Sequence, residues 1–366
     1  MKETTKTKLK TVFTPFFFVC LGVLLLGLLI KLIAANNAAF ADFWQSKIAS
    51  VPRAFFAYLT NLLPFSLAEF LILTSPLTIA VLIRIAAKKT DTWAKTLGYS
   101  LNLIAAASLV FSMFLLNFSA GYNTTALDER MGLERKNVSA EELYDTAKCL
   151  LGGLSDASED MEFTKGENTY MPYSLSQLNK KLNEAYKKAC EKYTFISNFT
   201  SNPKQVMLSE PWTYTHIAGV YTFFTGEANI NVNFPDYTLP YTAAHEMAHQ
   251  RGISREDEAN FVAFVVCIGS DDDYIRYSAY ANAYEYVASA LYSADKDLYK
   301  QLYAEVPALL KNEMSSYNAF FEKYRENKAA TVSNKVNDTF LKAQGQKSGS
   351  KSYGLVVDLL AAYYRK

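Results

Sequence analysis

The sequence predicts a mainly helical α+β domain with a small β-sheet, carried behind an N-terminal region of three transmembrane helices. Three observations predict it: long apolar runs confined to the first third of the chain, helical periodicity through most of the rest, and only three short stretches of strand character. The 366 residues are half apolar and 20% charged. That suffices for one membrane region and one sizeable globular domain, and excludes a disordered chain.

The first run, Thr11 to Ile30, is 20 residues without a charge, long enough to cross about 30 Å of hydrocarbon as a helix. A second runs from about Pro64 to Ile83 and carries one acid, Glu69, near one end; a third, Leu97 to Phe118, carries none. Spans at about 11–30, 64–83 and 97–118 leave 119–366 as the following domain. Lysines 2, 6, 8 and 10 precede the first span, and Arg84, Lys88, Lys89 and Lys95 follow the second, against Lys31, Lys47 and Arg53 between spans one and two. Cationic short loops stay in the cytoplasm. The N-terminus is therefore expected to be cytoplasmic, and the domain extracytoplasmic on a multi-pass cell-membrane protein. Arg53 to Leu63 (RAFFAYLTNLL) reads as a helix lying at the outer interface of the lipid bilayer, and Glu69 as an interfacial or hydrogen-bonded carboxyl rather than a transport group. Ala39-Phe40-Ala41 has the form of a signal cleavage site, but the apolar run is too long for a signal core and Lys31 interrupts the approach.

Residues 1–118 hold 11 Lys/Arg and 4 Asp/Glu, a net of +7, and the remainder 26 and 32, a net of −6. No basic face is left for nucleic acid. Cys20, Cys149, Cys190 and Cys267 form no C-x-x-C pair, which excludes a zinc knuckle and a disulfide-dense scaffold; Cys149 with Cys190 is the one bridge worth testing. In the domain, helices are expected at Ala140–Leu151, Ser174–Tyr193, around His245 and Ser254, and at Ala279–Ser293, Asp297–Asn327 and Val356–Tyr364. Strands are expected at Lys204–Leu208, Val220–Phe224 and the alternating Asn229–Phe234.

Residues His245 to His249 read HEMAH, and they include two of the three histidines in the chain. Two imidazoles four apart on a helix share a face and can share a metal ion, with the intervening Glu246 directed at the same cleft. This is the zinc-hydrolase arrangement. Pro240 and Thr242 start the helix and Gly252 stops it, giving about Tyr241 to Arg251. Ser254-Arg255-Glu256-Asp257 carries a capping signature for a second helix. A catalytic zinc needs a third protein ligand, sought among Glu256, Asp257 and Glu258. Glu256 shares a helix face with Asn260, whereas Glu258 lies about 200° away; Glu256 is the geometric choice. The plainer role of all three acids is to complement the helix N-terminus.

The segment NINVN is expected either as an edge strand that holds an extended peptide or as an ordinary sheet strand. His216, Arg276 and Tyr277 are candidates for stabilising an oxyanion, each against a commoner packing or surface role. Asp271-Asp272-Asp273 reads as a solvated turn, because the calcium-loop spacing is absent. Glu227 reads as a cleft acid or a loop surface acid.

The run PYTAAHEMAHQRGISREDEANFVAF (Pro240–Phe264), preceded by FFTGEANINVNFP (Phe223–Pro235), closely resembles the bacterial membrane proteins called the domain of unknown function 3810 family. SNPKQVML (Ser201–Leu208) before it, and IRYSAY (Ile275–Tyr280) and VNDTFLKAQGQKSGSKSYG (Val336–Gly354) after it, stand in corresponding order. These proteins look like relatives of the gluzincin-type metallopeptidases, so the resemblance implies a zincin-like, zinc-dependent hydrolase domain; it supplies no substrate. Glu256-x-x-Ala259-Asn260 is similar to the third-ligand signature of several gluzincins, although Glu256 follows His249 by only seven residues, closer than is usual.

The expectation is a membrane-anchored zinc metallopeptidase acting on a peptide or protein of the cell envelope. His245, His249 and Glu256 would hold Zn²⁺, and Glu246 would be the general base for a zinc-activated water. The alternatives are a non-catalytic binding or sensory module on the same fold, and a zinc hydrolase of non-peptide envelope substrates.

Overall fold

The computed structural model describes residues 5–159, 161, 163–165 and 167–365; Lys2 of the basic N-terminal cluster lies outside them. Helix α1 (Thr5–Val12) ends before Pro15, which lacks an N–H and so opens a new helix, α2 (Pro15–Asn36). Thr14 caps α2 by accepting from Phe17 N–H at 3.2 Å. The first span is therefore offset from the apolar run, and passes Lys31, whose ammonium donates to Gln344 at 3.0 Å. Then come α3 (Ala38–Phe43), a π-helical turn at Trp44–Ile48, α4 (Ser50–Asn61), α5 (Leu67–Lys89) and α6 (Trp93–Asn117). Helices α2, α5 and α6 are each long and apolar enough to cross a membrane. Ala41 of the cleavage-like tripeptide is fully buried inside α3, packed with Ala34 and Ala120.

Gly27 lets α2 and α6 approach closely, since a Cβ there would lie 3.0 Å from Leu115 Cβ. Helix α5 has none of its most apolar stretch buried within the protein and is held chiefly at its N-terminus. There Glu227 accepts from the backbone N–H of Leu67 and Ala68 at 2.9 and 3.0 Å. In return Glu69 accepts from Met207 and Leu208 N–H at 2.8 and 2.9 Å. Glu69 is thus the hydrogen-bonded carboxyl expected. Glu227 is neither a cleft acid nor a surface acid, but a buried clamp on the second span. Helix α4 buries Arg53, Ala57 and Thr60 and exposes Val51, Phe55, Leu59 and Leu62, the amphipathic pattern expected of Arg53–Leu63.

The C-terminal domain follows as α7 (Leu127–Met131), α8 (Ala140–Ser158), a hairpin of β1 (Thr164–Lys165) and β2 (Asn168–Thr169), and α9 (Leu175–Lys192). Next are β3 (Lys204–Gln205), α10 (Ser209–Thr213), β4 (Gly219–Thr222), β5 (Glu227–Ile230), α11 (Leu239–Gln250), α12 (Glu256–Ile268) and α13 (Asp273–Ala294). The chain closes with α14 (Lys296–Glu305), α15 (Ala308–Glu322), α16 (Lys328–Ala343), a 3₁₀ stretch at Gly349–Leu355 and α17 (Val356–Tyr364). Capping boxes at Ser139/Glu142 and Ser174/Gln177 start α8 and α9. The architecture is mainly helical with small sheets.

Two expectations are corrected and two open alternatives are resolved. The helix Asp297–Asn327 is two helices, α14 and α15, parted at Val306-Pro307, where proline cannot continue the ladder. Ser254 does not cap α12; its hydroxyl donates instead to Phe118 O at 2.9 Å, and Arg255 occupies the cap. The sheet order is β3-β5-β4, so the NINVN segment contributes the central strand and β4 is an edge. All four cysteines are free, with Cys149 exposed on α8 and Cys190 half-buried on α9. Asp272, by contrast, sits in the turn expected and caps α13 by accepting from Ile275 N–H at 3.0 Å.

The principal core joins α8, α11, α12 and α13 through residues such as Leu150, Leu154, Phe261, Tyr284 and Val287, all fully buried. A second core crosses from the third span into the domain: Phe114, Leu115 and Phe118 pack with Tyr122, Tyr221 and Leu341. The membrane region and the domain thus share one interior.

Candidate metal centre

Helix α11 starts with Pro240 in its first turn and ends at Arg251, after which Gly252 takes φ +100°. That left-handed turn is easy only for glycine, and a Cβ there would lie 2.5 Å from Arg53 Nη2. Arg53, 1% exposed, donates to Gln45 Oε1, Gln45 O and Asn117 O, each at 2.7 Å. It therefore sits between the carbonyl end of the third span and the turn after α11. The reversal at Gly252 brings the first residue of α12, Glu256, back over α11, which is why a spacing of only seven residues closes.

The His245 and His249 rings meet edge to face with centroids 4.6 Å apart. Glu256 Oε2 lies 3.3 Å from His245 Nε2 and 3.2 Å from His249 Nε2. Ligand atoms of the three buried residues all fall within 4.8 Å of one another, so the group can hold a metal ion. His249 Nδ1 lies 2.7 Å from Ile253 O. Donation to that carbonyl keeps a proton on Nδ1 and directs Nε2 at Glu256, so a metal ion taking the place of the Nε2 proton would meet that nitrogen. Burial opposes charge on His249, but the neighbouring Glu256 carboxylate outweighs it and pushes the imidazole up to about 9. Burial likewise opposes the charge on Glu256, and the two imidazoles hold its carboxyl well below the usual range. Two imidazoles and one carboxylate form a donor set that fits a zinc ion, with His249 oriented by a backbone carbonyl and His245 Nδ1 buried without a hydrogen-bond partner among the described residues. Asp257 and Glu258 are turned elsewhere: Asp257 pairs with Arg135 at 2.9 Å, and Glu258 accepts from Leu127 N–H at 2.9 Å and pairs with Arg255.

Glu246 is 5% exposed, and its Oε2 has no hydrogen-bond partner among the described residues. Burial pushes its carboxyl up, against the pull of His245 and His249. It lies under β4, where a Cβ on Gly219 would come within 2.6 Å of Glu246 Oε1. The absence of a side chain at 219 is what lets the carboxylate stand there. All four residues line a cleft of about 660 Å³, together with β4, the end of α6, α16 and the 3₁₀ stretch.

Of the oxyanion candidates, His216 lines this cleft, at φ 60° and with Nε2 2.6 Å from Tyr324 O. Arg276 pairs with Asp273, and Tyr277 is wholly buried in the core; neither lines the cleft. Six tyrosines that the sequence did not mark for chemistry line the cleft, Tyr122, Tyr221, Tyr241, Tyr286, Tyr317 and Tyr353. Tyr353 stacks on His245 at 6.4 Å between centroids and 25° between planes. Burial, and next to it the Glu256 charge, pushes its phenol upward. Its segment, KSYG, carried a family signature in the sequence but no chemical one.

Residues 44–361 match the model of a protein family described as a protein of unknown function, DUF3810. The chain belongs to this family. The DUF3810 match begins at Trp44, beyond the first span, and takes in α5, α6, the metal centre and most of α17. No curated protein and no solved structure matches the chain.

Proposed function

We propose that this DUF3810 protein is a membrane-anchored, zinc-dependent peptidase with its C-terminal domain outside the cytoplasmic membrane. The observation that carries the reading is the convergence of His245, His249 and Glu256 beside a buried glutamate with an unsatisfied oxygen. When bound at such a site, zinc acidifies water toward pKa about 7 and polarises a carbonyl. Glu246 takes the proton of the attacking water and passes it to the leaving amine nitrogen, a role that its raised proton affinity suits. The free edge of β4 offers backbone N–H and C=O groups to an extended chain, which lays a scissile bond over Glu246. Tyr353 donates toward the charge developing on the scissile carbonyl.

The test uses the full chain in nanodiscs. Elemental analysis should give about one zinc per chain for wild type and for Glu246→Gln, with hydrolysis of a peptide pool lost in the latter. Glu256→Ala should cost more than the 10–100-fold in zinc affinity typical of losing a partner of the ligands. Zinc retained by a wild type that cuts no peptide would leave a binding module or a hydrolase of other bonds. Orientation is read from the exposed Cys149: a membrane-impermeant maleimide should label it in right-side-out vesicles, and labelling only after permeabilisation reverses the topology.

A further inference from the structure

We infer that the centre acts on polypeptides tethered in the same bilayer, at bonds only a few residues beyond the membrane surface. The inference rests on the peptidase reading and names its substrate class. Its first support is that the third span itself builds the site. Helix α6 has 25 residues, about 37 Å of helix against a hydrocarbon core of about 30 Å. Its end and cap, Asn117 and Phe118, therefore reach the headgroup level. The Phe118 ring lies 5.8 Å from that of His249, and its carbonyl takes the Ser254 hydroxyl at 2.9 Å, two residues before Glu256. No linker separates centre from span, and the ligands stand within about 10 Å of the hydrocarbon edge. An extended chain advances about 3.3 Å per residue, so about three residues outside the membrane bring a bond to the centre.

The cleft wall supplied by the span is aromatic. Phe114 packs against Phe223 and Phe340, at 5.3 and 5.6 Å between centroids, whereas Asn260, Asn282, Asn334 and Asn337 bring amides to the same cleft. Apolar and hydrogen-bonding surfaces side by side suit a chain that leaves hydrocarbon and becomes polar within a few residues.

Two helices outside the spans expose apolar side chains. Helix α4 exposes Val51, Phe55, Leu59 and Leu62, and α16 exposes Val332 and Val336. Helix α16 is joined to the first span by Lys31 and Gln344 and to the third by Phe340 and Phe114. Apolar stripes of this kind suit a bilayer surface, and resting there would seat the cleft at the membrane rather than above it.

The test uses zinc-loaded full-length protein in phosphatidylethanolamine/phosphatidylglycerol nanodiscs. The probe is a pool of single-pass polypeptides bearing one randomised segment in three copies, at roughly 3, 10 and 20 residues from the anchor. The same segment is supplied as a soluble peptide and on an acyl anchor. The expected result, read by mass spectrometry and absent with Glu246→Gln, is cutting at the nearest copy at least about 10-fold over the outer copies. Either anchor should outpace the soluble peptide about 100-fold. Tethering alone would raise all three copies together, so the gradient reports the depth of the centre. Equal cutting of all copies, or of the soluble peptide, overturns the inference and leaves the peptidase reading intact. Cutting of no probe by wild type overturns both.

Discussion

In α11 every residue but Thr242 is buried, and in α12 every one but Val265 and Ile268, whereas α16, which lines the same cleft, buries only Ala330 and Leu341. The difference separates two tasks. Ligands set in a close-packed interior cannot shift without disturbing their neighbours, so the helix pair presents the imidazoles and the carboxylate ready arranged. Helix α16 is fastened through its C-terminal half, by buried Leu341, by Phe340 against Phe114 and by Asp338 accepting from Ser350 N–H at 3.1 Å, while Asn327 only caps its own first turn. Few buried apolar contacts oppose its movement, and a chain can enter on that side.

The largest effect is expected where the metal-bearing wall is joined to the membrane region. Arg53→Met strands three acceptors, the Gln45 and Asn117 carbonyls and the Gln45 side chain, at about 1–3 kcal/mol each. A loss of about 3 kcal/mol or more should appear as a large fall in unfolding temperature in detergent. A change within about 0.5 kcal/mol would break the contrast, because the rigid wall would then not depend on its anchor.

Gly219→Ala comes next. Its methyl would crowd Glu246 Oε1, so zinc content should stay unchanged while kcat falls about 10-fold or more, part of the 10²–10⁴-fold that a general base contributes. A kcat equal to wild type would show that the carboxylate is not confined there.

A third test sharpens the burial side of the comparison through pH. Glu285 on α13 accepts from the Tyr237 hydroxyl at 2.8 Å, yet burial pushes its carboxyl up. A raised folded pKa favours the protonated form in the fold. Its contribution is therefore complete below the unfolded value and lost as pH rises through the folded one. Glu285→Gln should gain on wild type between pH 5 and pH 8 by about 2–4 °C in unfolding temperature. A gain that shrinks with pH contradicts the assignment.

The smallest effect belongs to the loose wall. Lys335→Ala, exposed on α16, should alter stability by less than about 0.5 kcal/mol, and amides of α16 should exchange about 100-fold faster than those of α11. Equal protection would erase the distinction between the walls.

Much of the metal-bearing wall was legible before any coordinates. The spacing of His245 and His249 is a property of one helix turn, and Gly252 announces the reversal that returns Glu256. The loose wall was harder to read: the apolar stripe of α16, Val332, Val336 and Phe340, is one residue wide in an otherwise polar helix, and Pro307, which parts α14 from α15, lies within a longer helical pattern. Glu227 and Ser254 misled for a related reason. Each sits where local chemistry suggests a loop acid or a helix cap, and each is instead recruited by a distant segment, Glu227 by the start of α5 and Ser254 by the end of α6.

The amino-acid order alone determined the three apolar spans, the helical character of the domain and the pair of imidazoles with their glutamate, since hydropathy and helical periodicity act over a few residues at a time. Tertiary structure alone decided that β4 is the edge beside Glu246, that Tyr353 stacks on His245, and that Phe118 at the end of a span lies against His249. Such contacts join residues as far apart as the 136 positions between Phe118 and Ser254. They depend on which surfaces must be buried together, a condition that no local window of the chain contains.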